Sequence, residues 1–128
     1  MGLALLAVFA IQRHQAYRPP ANAFLIAWQA GDTDAMWREV GARWRAREPR
    51  EDFDAWQEEL LEWVGPLRGA KVRDARTSRE PGMGKFHRLT FDARFERARG
   101  RLLVTLMEQP GGGWAVEGAL LESIIMDP

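Results

Sequence analysis

Residues Arg101–Gln109, RLLVTLMEQ, are apolar on both faces when the chain is extended. Side chains of a strand alternate between the two faces of its sheet. One face then holds Leu102, Val104 and Leu106, and the other holds Leu103 and Met107. A strand with this pattern needs cover on both sides, which is typical of a central strand. We therefore predict a sheet with Arg101–Gln109 in its interior.

Three further extended segments accompany this strand. Lys85–Phe95 alternates between polar and apolar residues, and Trp114–Leu121 follows a turn rich in glycine. Leu67–Arg79 is polar and rich in arginine, as expected of an exposed or edge strand. Turn residues separate the four segments, at Pro81–Gly84, Glu96–Gly100 and Pro110–Gly113. The pattern predicts an antiparallel sheet of about four strands.

The first half of the chain repeats with a helical period instead. The pattern predicts a first helix over Ala21–Ala30, a second from an N-cap at Asp32 to the arginines ending at Arg47, and a third from Pro49 to the stop at Gly65-Pro66. The apolar stripes of these helices contain Phe24, Trp28, Trp37, Trp44, Phe53, Trp56 and Trp63. Three helices followed by four strands indicate an α+β fold with an antiparallel sheet.

The N-terminal 20 residues are predicted to be a separate segment, and residues 21–128 a single domain. Met1–Ile11 is an unbroken apolar run of about half the length that a membrane-spanning helix needs, and Pro19-Pro20 marks the boundary of the domain. Three explanations of the run stay open: the second half of a membrane anchor, a weak signal peptide, or a helix packed on the domain or on a second copy. An anchor or a signal predicts a location in the cell envelope, whereas a packed helix allows a cytoplasmic one.

Composition and charge limit the chemistry of the chain. It has 128 residues and no cysteine, so it forms one domain without disulfides, thiolate metal sites or cysteine nucleophiles. Its 18 basic and 18 acidic residues cancel, which argues against a polycation that coats nucleic acid. The net charge is nevertheless −3 over residues 1–64, +7 over 65–101 and −4 over 102–128. The basic middle lacks the interleaved aromatic residues of a stacking platform, so we expect no nucleic-acid partner.

A series of short motifs runs along residues 21–122. The motifs are Ala27–Asp32 (AWQAGD), Gly65–Gly69 (GPLRG), Gly84–Phe86 (GKF), Phe91–Phe95 (FDARF) and Gly112–Gly118 (GGWAVEG). In this order they resemble a bacterial group named domain of unknown function 4019, and the order of elements resembles the nuclear transport factor 2-like (ketosteroid isomerase-like, cystatin-like) cone superfamily. The resemblance implies a cone-shaped domain, in which three helices pack on one face of a curved antiparallel sheet and leave a pocket between helices and sheet. It also implies a protein that is exported or tethered to a membrane. The chain departs from the group at Gly100-Arg101, where an acid usually begins the third strand.

His87 is the candidate catalytic residue. The resemblance implies a carboxylate, histidine or tyrosine in the pocket of an enzyme of this superfamily. His87 has the strand parity of Leu89 and Phe91, so it is expected to point to the same side, and an imidazole titrates near neutral pH. The alternative is a histidine that is hydrogen-bonded or exposed at the mouth of the sheet. The candidate ligand pocket consists of Trp28, Trp56, Phe86, His87 and Phe91.

Other charged residues offer further candidates. A catalytic acid would have to come from the strand carboxylates Asp74, Asp92, Glu108 and Glu117. Asp92 has the parity opposite to the apolar residues of its strand, so we expect it to face outward, opposite an arginine of a neighbouring strand. Glu117 is expected to face solvent or a second subunit. Arg88 or Arg94 could hold an anionic ligand, with solvated arginines as the alternative, and the only tyrosine, Tyr17, precedes the predicted domain.

The sequence contains no phosphate-binding loop, dinucleotide-binding glycine motif, nucleophile elbow or zinc-binding histidine motif. We therefore expect no cofactor and no metal, and a non-catalytic domain rather than an enzyme. Such a domain would act in the cell envelope as a homodimer or as an accessory or binding subunit, through its sheet face or its pocket. Two alternatives stay open: an isomerase, dehydratase or hydrolase with His87 as base, and a domain that binds a small hydrophobic ligand.

Overall fold

The computed structural model describes residues 17–82 and 84–128. Helices come first and strands follow. The elements are α1 (Arg18–Gln29), α2 (Thr33–Arg38), α3 (Ala42–Arg47), α4 (Arg50–Trp63), β1 (Leu67–Glu80), β2 (Gly84–Phe95), β3 (Ala98–Glu108) and β4 (Trp114–Met126). The four strands form one curved antiparallel sheet in sequential order. The predicted α+β class is confirmed, and the described residues contain four helices in place of three.

Strand β3 is internal to the sheet, as its two-sided apolar pattern predicts. It pairs with β2 on one side, where Val104 lies opposite Leu89, and with β4 on the other, where Leu102 lies opposite Leu121. Strand β1 lies at one edge of the sheet, and its residues after Ala70 are exposed. We call the side of the sheet that carries Leu89, Leu102 and Val104 the covered face and the opposite side the outer face.

The prediction of one continuous second helix from Asp32 to Arg47 is wrong, because the chain between α2 and α3 joins the edge of β4. Val40 forms a parallel bridge with Val116. The Gly41 N–H donates to the Val116 carbonyl at 2.9 Å, and the Val116 N–H donates to the Glu39 carbonyl at 2.8 Å. Backbone groups bonded to a strand are not available for a continuous helix. The helix therefore ends at Arg38, and a new one starts after Gly41.

The predicted turn at Glu96–Gly100 is also wrong, because β3 begins earlier than its apolar run. Arg99 already pairs with Arg94 of β2, so only Glu96 and Arg97 connect the two strands. The Arg97 guanidinium donates to the Leu61 carbonyl at 3.0 Å and the Glu62 carbonyl at 2.6 Å, near the end of α4. A cation at the C-terminus of a helix satisfies its last carbonyls. The polar residues that suggested a turn thus connect the sheet to α4.

The core lies between the helices and the covered face of the sheet. Its largest fully buried side chains include Phe24 from α1, Phe53 from α4 and Phe95 from β2. Trp28 and Trp44 are buried, in agreement with the predicted stripes, whereas Trp63 is 52% exposed. Trp63 is the last residue of α4, and at this end of the helix the buried positions are Leu60 and the following Val64 instead.

The first helix begins three residues before its predicted start. Pro19 and Pro20 occupy its first turn, where a missing N–H leaves no helical hydrogen bond unmade. The predicted apolar segment Met1–Ile11 lies outside the described residues. Within the described part of the chain, no helix is long and apolar enough to cross a membrane.

Candidate functional site

His87 lies on the covered face near the start of β2 and is 7% exposed. The Tyr17 ring stacks on its imidazole, with 3.8 Å between ring centroids and 17° between planes. The Trp114 ring lies 4.8 Å away, tilted by 51°. Thr77 Oγ1 is 2.7 Å from His87 Nδ1. Two aromatic rings and a hydroxyl thus surround the imidazole, an arrangement typical of a packed histidine.

Burial, and to a lesser extent the nearby Lys85 ammonium, lowers the pKa of His87 below its ordinary value of 6.5. Desolvation disfavours the charged imidazolium, and a neighbouring positive charge adds to this effect. His87 is therefore neutral at physiological pH. The stacked Tyr17 ring shields one face of the imidazole from solvent.

Tyr17 belongs to the folded domain, although its position before two prolines suggested otherwise. It is 9% exposed and contacts both His87 and Trp114. A large aromatic residue immediately before the first helical turn was the available signal. An aromatic residue next to a helix start often packs against the body of the domain, as in a hydrophobic staple.

The five residues of the predicted ligand pocket lie in different places. Trp28 and Trp56 contact each other at 5.5 Å, and Trp28 also contacts Phe95 at 6.0 Å. Phe95 is eight residues after His87 on β2, which corresponds to about 27 Å along a strand. Phe91 lies between them on the covered face, and Phe86 is half-buried on the outer face. The structure therefore brings Trp28 and Trp56 together, and His87 with Tyr17 and Trp114.

Glu117 is buried, and it faces neither solvent nor the outer face. Its carboxylate accepts from the backbone N–H groups of Arg43 and Trp44, each at 3.1 Å, and from Gln109 Nε2 at 3.3 Å. Gln109 Oε1 accepts from the Ala42 N–H at 3.1 Å. The first three N–H groups of α3 are thus satisfied by side chains of β4 and of the turn before it. A negative charge at this end of the helix is also favourable to its dipole. The Glu117 carboxylate is therefore buried because it caps the start of α3.

The strand carboxylates Asp74, Asp92 and Glu108 do not form a common catalytic site with Glu117. Asp92 is exposed and lies 3.2 Å from Arg73 of β1, which confirms the predicted outward pairing. Asp74 pairs with Arg76 at 3.0 Å. Glu108 shares a shallow cleft of about 340 Å³ with Glu117, but the Glu117 oxygens are already engaged. The described residues contain no group of three or more potential metal ligands.

A groove of about 490 Å³ lies between the end of α1, the middle of α4 and the start of β1. It is lined by Trp28, Gln29, Ala30, Gly31, Thr33, Asp54, Gln57, Glu58, Leu61, Gly65, Pro66 and Arg68. Gln57 is 8% exposed, and its Nε2 has no hydrogen-bond partner within the described residues. An unsatisfied buried amide costs about 1–3 kcal/mol. The sequence contains a signal for the burial of Gln57. A residue four positions after Phe53 and three before Leu60 falls on the buried stripe of α4.

A second, shallower groove of about 530 Å³ crosses the outer face of the sheet. It is lined by Arg73, Asp74, Arg76, Arg88, Thr90, Arg101, Leu103 and Glu122. Arg88 and Arg101 form no ion pair with any described residue, whereas Arg73 and Arg76 do. Leu103 lies opposite Leu120 of β4, which is 57% exposed. The outer face thus combines unpaired charge with exposed apolar surface.

Comparisons with protein-family models, with curated proteins and with solved structures find no match for this chain.

Proposed function

We propose that this chain is a non-catalytic binding domain that forms a homodimer through the outer face of its sheet. The observation that carries the proposal is an apolar cross-strand pair on the outer face, formed by Leu103 of β3 and Leu120 of β4. Leu120 is 57% exposed. Ile125 extends the exposed apolar surface along β4, at 55% exposure. Removing such surface from water is favourable by about 25 cal/mol per Å². A central strand that is apolar on both faces gains most from cover on the second face.

The charges of the outer face support a second copy as the partner. In a two-fold interface, a contact between one residue of the first copy and another residue of the second occurs twice, because the same two residues also meet with the copies exchanged. Arg101 and Glu122 face each other in register on β3 and β4 but form no ion pair. Asp74 and Arg88 flank them in the same groove. A face that contains both signs is complementary to itself, so arginines of one copy can meet carboxylates of the other.

The surroundings of His87 support a binding role over catalysis. A general base must reach a substrate proton, directly or through one water. The imidazole is 7% exposed, and Tyr17 stacks on one of its faces. Its Nδ1 is within hydrogen-bond distance of Thr77. These contacts account for the burial of His87 without a substrate.

Sedimentation velocity at micromolar concentration tests the dimer. Wild-type protein is expected to sediment as a dimer and Leu120→Asp as a monomer, because the aspartate places an unpaired charge in the interface. Ile26→Asp is the matched control, since Ile26 is 65% exposed but lies on α1. A strictly monomeric wild-type protein contradicts the proposal, as does equal dissociation of both variants.

We further propose that the domain belongs to the nuclear transport factor 2-like superfamily and works at the cell envelope, held there by Met1–Ile11. The order of helices before four sequentially paired antiparallel strands supports the first part. The apolar composition of the run supports the second. Membrane fractionation of cells expressing the full chain, or a variant without residues 2–11, tests the tether. Equal amounts of both proteins in the membrane fraction contradict it.

A further inference from the structure

We infer that the groove between α1, α4 and the start of β1 binds a small amphiphilic organic cation, namely an aromatic amine that also carries a carbonyl group. The groove is formed by the helices and the α4–β1 connection, whereas the proposed dimer uses the outer face of the sheet. The two proposals are therefore independent. Three properties of the groove select this class of ligand: its apolar walls, the amide of Gln57 and the balance of its charges.

The size and walls of the groove suit a small aromatic ligand. Its volume of about 490 Å³ lies within the range of small-molecule sites. Trp28 and Pro66 line the groove together with Leu61, which is 54% exposed. An exposed leucine next to an indole and a proline ring offers an apolar surface on which an aromatic ring can pack. An aromatic ring is therefore the expected apolar part of the ligand.

Gln57 provides the polar group that would orient this ligand. It is 8% exposed, lines the groove, and its Nε2 finds no acceptor among the described residues. Its neighbour Gln29 is different, because Gln29 Nε2 donates to the Arg68 carbonyl at 2.8 Å. A ligand carbonyl that accepts from Gln57 Nε2 would satisfy the one amide in the groove that lacks a partner. This contact is the reason for expecting a carbonyl as well as an amine.

The charges that line the groove favour a cation. Asp54 is paired with Arg50 at 2.8 Å, and Arg68 is paired with Glu96 at 2.7 Å. Glu58 forms no ion pair with any described residue. The Arg68 guanidinium, which could attract an anion, is thus already neutralised by Glu96. The Glu58 carboxylate is not compensated by any described residue. A ligand with an ammonium group gains from Glu58, and a ligand with a carboxylate is repelled by it.

Three probes separate these contributions, with amide chemical shifts and isothermal titration as the readouts. L-phenylalaninamide has the ring, the ammonium and the carbonyl, and 2-phenylethylamine lacks the carbonyl. N-acetyl-L-phenylalanine has the ring and a carboxylate. L-phenylalaninamide is expected to shift the resonances of groove residues and to bind about 10-fold more tightly than 2-phenylethylamine. N-acetyl-L-phenylalanine is expected not to bind. Equal affinity for this anion, or no shift with saturating L-phenylalaninamide, overturns the proposal.

Paired variants test the residues on the full chain. Glu58→Gln should weaken L-phenylalaninamide binding by about 10-fold, whereas Glu59→Gln, one residue further and outside the groove, should not change it. Gln57→Leu should remove the difference between L-phenylalaninamide and 2-phenylethylamine. Its fold is checked by circular dichroism, and the Glu58 and Glu59 variants decide the question if it unfolds. Equal effects of Glu58→Gln and Glu59→Gln contradict the proposed charge selection.

Discussion

Glu117 shows how one buried side chain holds a helix that does not cap itself. The N-cap of α3 is Gly41, which has no side chain to accept from the first N–H groups. The Glu117 carboxylate and the Gln109 amide accept from these groups across more than 60 residues of sequence. A side chain brought in by the sheet thus replaces the usual local serine or aspartate.

Removal of this carboxylate should destabilise the domain strongly. Glu117→Ala leaves two N–H groups of α3 without acceptors and removes one of the two acceptors of Gln109 Nε2, so we expect a loss of about 3 kcal/mol in the free energy of unfolding. Glu59→Ala, at an exposed position on α4 outside the outer face, should change it by less than about 0.5 kcal/mol. Urea unfolding measures both. Equal stability of the two variants would show that the Glu117 contacts contribute little.

His87 should give the stability of the domain a dependence on pH. Its pKa is lowered by folding, so the unfolded chain binds a proton more readily than the native one. The contribution of neutral His87 is complete above pH 6.5, declines as the pH falls from 6.5 toward the pKa of the folded state, and is absent below it. Urea unfolding of wild-type protein and His87→Gln between about pH 5 and pH 8 isolates this effect. A constant difference between the two proteins over that range contradicts it.

At the scale of elements, the bridge between Val40 and Val116 decides where the helices end. Local propensity favours a continuous helix from Asp32 to Arg47, because a stripe of Met36, Trp37 and Trp44 continues through it. The hydrogen bonds of Glu39 and Gly41 with Val116 interrupt this helix. The interruption aims the start of α3 at Glu117, so the bridge and the cap form one arrangement.

Gly41 is required by this arrangement for space. A Cβ at Gly41 would lie 2.4 Å from Glu117 Cδ, closer than real contacts allow, whereas a Cβ at Gly69 would meet no atom within 4 Å. Gly41→Ala should therefore lower the free energy of unfolding by about 1–3 kcal/mol. Gly69→Ala is the control and should leave it unchanged or raise it slightly. The prediction fails if thermal denaturation shows the same stability for both variants.

At the scale of the whole molecule, the net charge of zero is a sum over regions of opposite charge. The fold separates some of these regions and brings others into contact. Exposed acids of α4 face solvent on the helical side, while arginines dominate the outer face of the sheet. The acidic C-terminal part returns to the basic strands, and Asp127 lies 3.8 Å from Arg94. Neutrality is thus partly built within the sheet. Arg88 and Arg101, which form no ion pair within the described part of the chain, remain for a partner.

The proposed dimer should also appear in thermal stability. A dimer that dissociates on unfolding has a Tm that rises with protein concentration. Wild-type protein is expected to show this rise over a hundred-fold range of about micromolar concentrations, and Leu120→Asp is expected not to. Differential scanning fluorimetry measures both. A wild-type Tm that is independent of concentration contradicts a dimer coupled to folding.

Local pattern was sufficient where local geometry sets the outcome. Period-two alternation, proline and glycine turns, and the two-sided apolar run of Arg101–Gln109 predicted the antiparallel sheet and its central strand. The helical stripes predicted the burial of Trp28 and Trp44. The outward orientation of Asp92 followed from strand parity alone. Each of these depends on residues a few positions apart, whose spacing is visible in the sequence.

Tertiary structure alone decided the features that depend on distant residues. Tyr17 meets His87 across 70 positions, Val40 meets Val116 across 76, and Glu117 reaches the start of α3 across 73 and 74. The groove at Gln57 likewise exists because the end of α1, the middle of α4 and the start of β1 lie close together. The sequence by itself therefore determined the class of fold and the central strand, because backbone alternation and helical period are local. Which polar groups are buried, and against what, depends on chain segments that come together only on folding.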